Sequence, residues 1–159
     1  MRKIAPLPSA ADRKPTASAT GLPHESVLKA SEEKVALILE KIQDGYYEVD
    51  LDGNFTFFNP GLLRITGYPR ERMLGMNYRR IVDDYNLTKV FQMFNQVRLT
   101  GVPAYAFDWE CIREDGSRRY VEVSVTLRKN ADETPNGFMG IARDITERKL
   151  AEQALKESE

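Results

Sequence analysis

The chain has 159 residues, with 23 Lys+Arg against 24 Asp+Glu and a formal net charge of -1. That balance argues against nucleic acid as a partner, because neutralising phosphates needs a clustered basic excess. At 42% hydrophobic and 30% charged, the composition is that of a globular protein rather than of a disordered or bilayer-spanning chain. The longest aliphatic stretch, Val35-Ala36-Leu37-Ile38-Leu39, is far short of the ~20 apolar residues that a span requires. No apolar run of signal-peptide type opens the chain, so a cytoplasmic location is expected. Cys111 and His24 are each the only one of their kind. A Cys-based zinc site, a disulfide framework and a Ser/His/Asp or Cys/His centre within the folded part are excluded by inventory.

Residues 1–22 carry Pro6, Pro8 and Pro15 among Ala, Ser, Thr and Lys, and a disordered leader is expected there. Residues 23–43 read as a flanking helix. Pro23 suits a first turn, and Leu28, Val35 and Ile42 fall seven apart with Ile38 and Leu39 between them. Such a helix either covers one face of the domain or pairs with its counterpart in a dimer.

All fifteen aromatic residues lie between Tyr46 and Phe138. Large rings supply much of a core's buried area, so the domain is expected over residues 44–146, large enough for one autonomous core. It opens with strands at Tyr46–Leu51 and Asn54–Phe58 around the turn dipeptide Asp52-Gly53. Asn59-Pro60-Gly61 stops the second strand. Leu62, Leu63 and Ile65 form one helical turn before Gly67, and Tyr68–Gly75 reads as another short helix. Asp83-Asp84 precedes a longer helix whose Leu87, Val90, Phe91, Phe94 and Val97 share a face. Three strands follow. Phe107 to Cys111 alternates apolar with acidic, Asp115-Gly116 turns the chain, Val121 to Leu127 alternates again, and Gly137–Arg143 is the last. The order ββαααβββ implies an α+β fold, an antiparallel sheet with helices on one face. Asp144-Ile145-Thr146-Glu147 has capping-box spacing with Asp144 as the cap. A helix of strong formers then runs over 147–159.

These landmarks in combination resemble the PAS domain family of sensory and dimerising modules. Val49-Asp50-Leu51-Asp52-Gly53 is similar to its first hairpin, and Phe58-Asn59-Pro60 to the entry into its first small helix. Thr66-Gly67-Tyr68-Pro69-Arg70-Glu71 with Leu74-Gly75, and Arg113-Glu114-Asp115-Gly116, match later landmarks. Gly140 with Arg143-Asp144-Ile145-Thr146-Glu147-Arg148-Lys149 resembles the family's junction between last strand and output helix. The resemblance implies a five-stranded antiparallel sheet with short helices on one face, flanked by helices at both ends. It implies a non-enzymatic module, one that binds a small ligand or a partner and relays the change to an output domain in the same chain. The exit stretch Ala151–Glu159 is similar to connectors that lead into a second PAS domain or a histidine kinase dimerisation region, which implies a sensor histidine kinase of a two-component phosphorelay as parent. The alternatives are a ligand-free dimerisation module, and a diguanylate cyclase or transcription regulator as parent.

Alternation points Tyr47, Val49, Thr56 and Phe58 inward from the first hairpin, and Phe107, Trp109 and Cys111 from the third strand. Phe91 and Phe94 are added from the long helix. These rings either fill the interior or leave room for a small molecule. Asp144, Ile145, Thr146 and Glu147 form the candidate relay junction. The resemblance offers no helix-side Cys near residues 75–85 for a covalent flavin or a cinnamate chromophore, and no His within the domain for a haem. A weak homodimer through the flanking helices is expected. Asp83-Asp84 and Asp108 with Glu110 are read as solvated charges, and the pairs Arg79-Arg80 and Arg118-Arg119 could form an anion patch but are too few to claim nucleic acid.

Overall fold

The computed structural model describes residues 24–158. The leader expected over 1–22 lies outside them. The chain divides into two units, 1–38 and 39–159. The described part of the first is helical and belongs to α1 (His24–Lys41). Its Val27, Leu28, Val35, Leu37 and Ile38 are each about half exposed.

The second unit begins with β1 (Gly45–Val49) and β2 (Phe55–Phe58). The Asp50 carboxylate closes the turn between them, accepting from the backbone N–H of Asp52 and of Asn54 at 3.0 and 2.9 Å. Gly53 has φ +90°, and a Cβ there would come within 2.4 Å of the Tyr78 ring, so the turn tolerates no side chain. Helix α2 (Pro60–Thr66) is longer than the single turn expected. Asn59 explains it. Its Oδ1 accepts from Leu62 N at 3.1 Å and from Tyr46 N at 2.8 Å, while its Nδ2 donates to the carbonyls of Leu39 and Asp44. One buried amide thus caps the helix and pins it to β1.

Helix α3 (Arg70–Met73) is followed by a 3-10 turn over Tyr78–Ile81 that periodicity does not reveal. Helix α4 (Asp84–Thr100) starts from the cap Asp83 and ends at Gly101, whose φ is 73°. Asp83 is buried, accepts from Asn86 N at 3.2 Å, and also accepts from Glu110 N at 3.3 Å. It is therefore a structural link between α4 and the next strand, not a solvated charge. Strands β3 (Ala104–Ile112), β4 (Arg118–Lys129) and β5 (Pro135–Asp144) then lead into α5 (Thr146–Ser158).

The five strands form one antiparallel sheet in the order β2-β1-β5-β4-β3. The last strand pairs with the first and closes the chain's two halves around one core. Tyr47 faces Gly140 across the β1–β5 ladder and its hydroxyl donates to Ser124 O on β4 at 2.7 Å. A Cβ on Gly140 would meet that hydroxyl at 2.8 Å and Ser124 O at 1.9 Å, so only glycine lets the three strands approach this closely.

Simple alternation fails in β2. The β1–β2 register shifts between Glu48 and Val49, pairing Glu48 with Phe57 and Val49 with Phe55. A bulge re-aims the side chains around it. Phe55 and Phe58 are buried, and Thr56, expected inward, faces solvent with its hydroxyl donating to Glu48 O.

Candidate functional site

Inside the fold lies a cavity of about 40 Å³ between the sheet and the helical layer. The sheet side is built by Tyr47, Val49 and Phe55 from the first hairpin and by Phe107, Trp109 and Cys111 from β3. Val121 and Val123 of β4 and Ala142 of β5 complete it. Leu62 and Ile65 of α2, Tyr78 and Ile81 of the 3-10 turn, and Val90 and Phe94 of α4 form the opposite wall. Period-two alternation in β3 and β4 aims their odd-numbered residues here.

Of the residues singled out from the sequence, Tyr47, Val49, Phe94, Phe107, Trp109 and Cys111 line this cavity. Phe58 is buried nearby, beneath the Arg70 guanidinium, which stands 5.4 Å from its ring centroid. Thr56 points away, and Phe91 is 45% exposed. Phe91 misleads because the buried stripe of α4 is narrow. Val90 and Val97 are its fully covered positions, Phe94 lies between them, and Phe91 falls over the edge into an outer groove. Phe55 and Tyr78 escape sequence reasoning, Phe55 because of the bulge and Tyr78 because a 3-10 turn carries no long period.

The cavity's polar inventory is short. Tyr47 spends its hydroxyl on Ser124 O, and burial raises its pKa, so it stays protonated. Thr66 donates to Leu62 O at 3.0 Å. Burial pushes the Cys111 thiol up to about 12, against the pull of the Arg113 cation. It is a small hydrophobe rather than a nucleophile. Trp109 is 8% exposed, and its indole N–H has no acceptor among the described residues. Such a donor is costly to leave unpaired. The volume is about a quarter of the ~150 Å³ apolar cavity known to take benzene.

The outer face of the same strands holds the exit junction. Ile145 is buried, and its N–H donates to Tyr120 O at 2.8 Å. Tyr120 N donates to Thr146 Oγ1 at 2.9 Å. Asp144 Oδ1 accepts from Thr146 N and Thr146 Oγ1, while its Oδ2 meets Arg119 Nε at 3.0 Å. Asp144 therefore ends β5 one residue before the cap position, which Ile145 takes, its carbonyl accepting from Lys149 N. The capping box expected between Asp144 and Glu147 does not form. Glu147 is exposed and shows no hydrogen bond back to the junction among the described residues. Two ion pairs carry α5 further along the sheet, Arg148 to Glu122 at 3.6 Å and Lys149 to Asp108 at 3.1 Å. Asp108 is thus a helix anchor, and Glu110 pairs with Arg118 at 3.6 Å.

Comparison with known proteins places this geometry. The PAS domain family model matches residues 43–147. The chain is 25% identical over 130 residues to the sensor histidine kinase TmoS of Ectopseudomonas mendocina, covering 82% of this chain and 13% of that protein. It is 29% identical over 125 residues to the signal transduction histidine-protein kinase AtoS of Escherichia coli, covering 77% of this chain and 20% of the kinase. The chain thus spans a fifth or less of these two relatives. Among solved structures, a PAS domain from Colwellia psychrerythraea superposes with TM-score 0.67 at 18% identity, over 72% of this chain and 97% of that one. The PAS domain of an HTR-like protein from Haloarcula marismortui gives 0.64 at 22%, over 76% and 97%. At these identities the likeness is one of fold. Among the described residues, no helix is long and apolar enough to cross a membrane.

Proposed function

As the chain belongs to the PAS domain family, we propose that it is a sensory relay module whose interior cavity is the input and whose exit helix is the output. One observation carries this reading. In β3 and β4 the residues lining the cavity alternate with those holding α5. Phe107 and Trp109 flank Asp108, and Val121 and Val123 flank Glu122. A shift of the cavity wall displaces backbone that is bonded on its other face to the helix. A ligand drives such a relay through its different affinity for the two arrangements. The lining and the unpaired Trp109 N–H suit a small, largely apolar molecule with one hydrogen-bond acceptor. The space suits neither a flavin nor a haem, each far larger than benzene.

The test is the variant Ala142→Val, which fills part of the cavity from β5. Amide exchange at Thr146–Leu150 should change, while the distant β4–β5 turn at Asp132–Thr134 should not. An unchanged α5 in a folded, cavity-filled protein would sink the relay.

The parent is read as a sensor histidine kinase acting through a phosphorelay, supported by the likeness to TmoS, AtoS and Sporulation kinase C of Bacillus subtilis. We place it in the cytoplasm, where the nucleotide that a kinase consumes is found. The likeness to a probable diguanylate cyclase, DgcE of Escherichia coli, at 24% identity favours the second reading. Incubating the full-length parent with radiolabelled ATP and, separately, with GTP separates them. Label on a histidine supports the kinase, and a cyclic dinucleotide formed from GTP supports the cyclase. Pairing into a homodimer through the flanking helices belongs to the same proposal.

A further inference from the structure

A second concavity of about 450 Å³ lies outside the core, between the β1–β2 turn, the 3-10 turn and α4. Phe91, Phe94, Asn95 and Arg98 contribute to it from one stripe of α4, at i, i+3, i+4 and i+7. Arg79 enters from the 3-10 turn, its guanidinium carbon 5.7 Å from the centroids of both Tyr78 and Phe91. Among the described residues Arg79 and Arg98 pair with no carboxylate, like Arg64, Arg70, Arg80 and Arg113, and they are the two arginines that line this groove. Asp52 supplies the one negative charge on the groove's lining, which leaves it a net single positive charge. The apolar surface is aromatic and open, because Phe91 is 45% exposed.

We propose that this groove binds a planar aromatic monocarboxylate. Two guanidinium forks suit one carboxylate, which each can meet through paired N–H donors. The exposed Phe91 face offers stacking for a ring, and the single net charge favours a monoanion over a dianion. The site goes beyond the cavity reading, and its wall connects the two. Tyr78 and Phe94, with ring centroids 4.9 Å apart, line both the groove and the cavity. A ligand stacked on Phe91 therefore presses on rings that bound the interior.

The test uses 1-naphthoate and its uncharged isostere 1-naphthamide, titrated into the 159-residue chain and followed by amide chemical shifts. Naphthoate should saturate with shifts clustered at Asp52–Gly53, Asn77–Arg79 and Phe91–Arg98. It should bind at least about tenfold more tightly than naphthamide, the scale of one charge-assisted hydrogen bond. Arg98→Gln and Arg79→Gln should each weaken naphthoate much more than naphthamide and so remove most of that difference, in protein that still shows a cooperative thermal melt. Arg79→Lys keeps the charge, loses the fork, and should fall between. Equal affinity for the two probes, shifts scattered elsewhere, or an unaltered preference in both Gln variants would overturn the site. So would the same amides moving with protein concentration alone, which would mark Phe91 as a self-association surface. The relay is read separately, at Thr146–Leu150. Groove shifts without a response there would overturn the coupling of groove to cavity and leave the groove itself standing, while the cavity-to-helix relay is judged by Ala142→Val.

Discussion

Trp109 concentrates several constraints in one side chain. It is nearly fully covered, lines the cavity and carries an indole N–H without an acceptor among the described residues. As the only tryptophan, it reports its surroundings directly. Native emission should lie well to the blue of the unfolded chain, and Trp109→Ala should cost about 3–5 kcal/mol. Water-like emission that does not move on unfolding would contradict the placement. Gly140 is the opposite case, a position defined by absence of atoms. Gly140→Ala drives a Cβ into Ser124 O and the Tyr47 hydroxyl. Ser124 O is strand backbone held in the β4–β5 ladder, so relaxation is expensive and a loss of about 3 kcal/mol is expected in chemical denaturation. A wild-type midpoint would show that β4 and β5 separate more easily than the ladder suggests.

Among the elements, α5 is the one held by polar contacts rather than by burial. Only Thr146 of its residues is buried. Asp144→Ala removes the acceptor for Thr146 N and the partner of Arg119. It should cost about 0.5–1.5 kcal/mol, the net worth of a hydrogen bond, and speed amide exchange in the first turn of α5 ahead of the core. Exchange identical to wild type would remove Asp144 from the junction. Acid should act on the same element. The hydrogen bond from Lys149 holds Asp108 below the usual carboxylate range. A depressed folded pKa stabilises the attached state above the unfolded value, and that contribution is lost as pH falls through the folded pKa. The α5 contact with β3 should therefore be intact at neutral pH and loosen below about pH 4. Asp108→Asn should reproduce the loosening at pH 7 and abolish the pH response. A response that survives the substitution would assign it to another carboxylate.

At the scale of the whole molecule, both flanking helices leave apolar residues uncovered. Leu28, Val35 and Ile38 on α1 and Leu150 and Leu155 on α5 are about half exposed or more. Exposed apolar stripes on helices tend to mark interaction surfaces. The exit helix has 13 residues, under two heptads and marginal as an unaided coiled coil. The chain should therefore dimerise weakly, with α1 contributing most of the contact. Sedimentation over a wide concentration range should show a monomer–dimer equilibrium that shifts to monomer when residues 1–38 are removed. Strictly monomeric behaviour of both chains at high concentration would end the pairing proposal.

The fold class and element order were legible in the sequence because they rest on local chemistry. Asp52-Gly53 and Asp115-Gly116 turn the chain, Pro60 and Gly67 bracket α2, and β3 and β4 alternate with a clean period of two. Each of these signals is read within a few residues and needs no partner. Thr56 and Phe91 were misplaced because their orientations depend on contacts distant in sequence. The bulge opposite Glu48 is a property of two paired strands, and no property of β2 alone reveals that Phe55 rather than Thr56 faces the core. Phe91 satisfies the helical period as well as Val90 does, and only the width of the sheet beneath α4 decides which is covered. The junction was located by its sequence but not its bonding, because Asp144 is claimed by Arg119 and Thr146 across the β4–β5 pair before a capping box with Glu147 can form. Local composition thus determined where elements begin and end. The tertiary structure decided which faces meet, because burial is a property of two surfaces and a sequence segment describes only one.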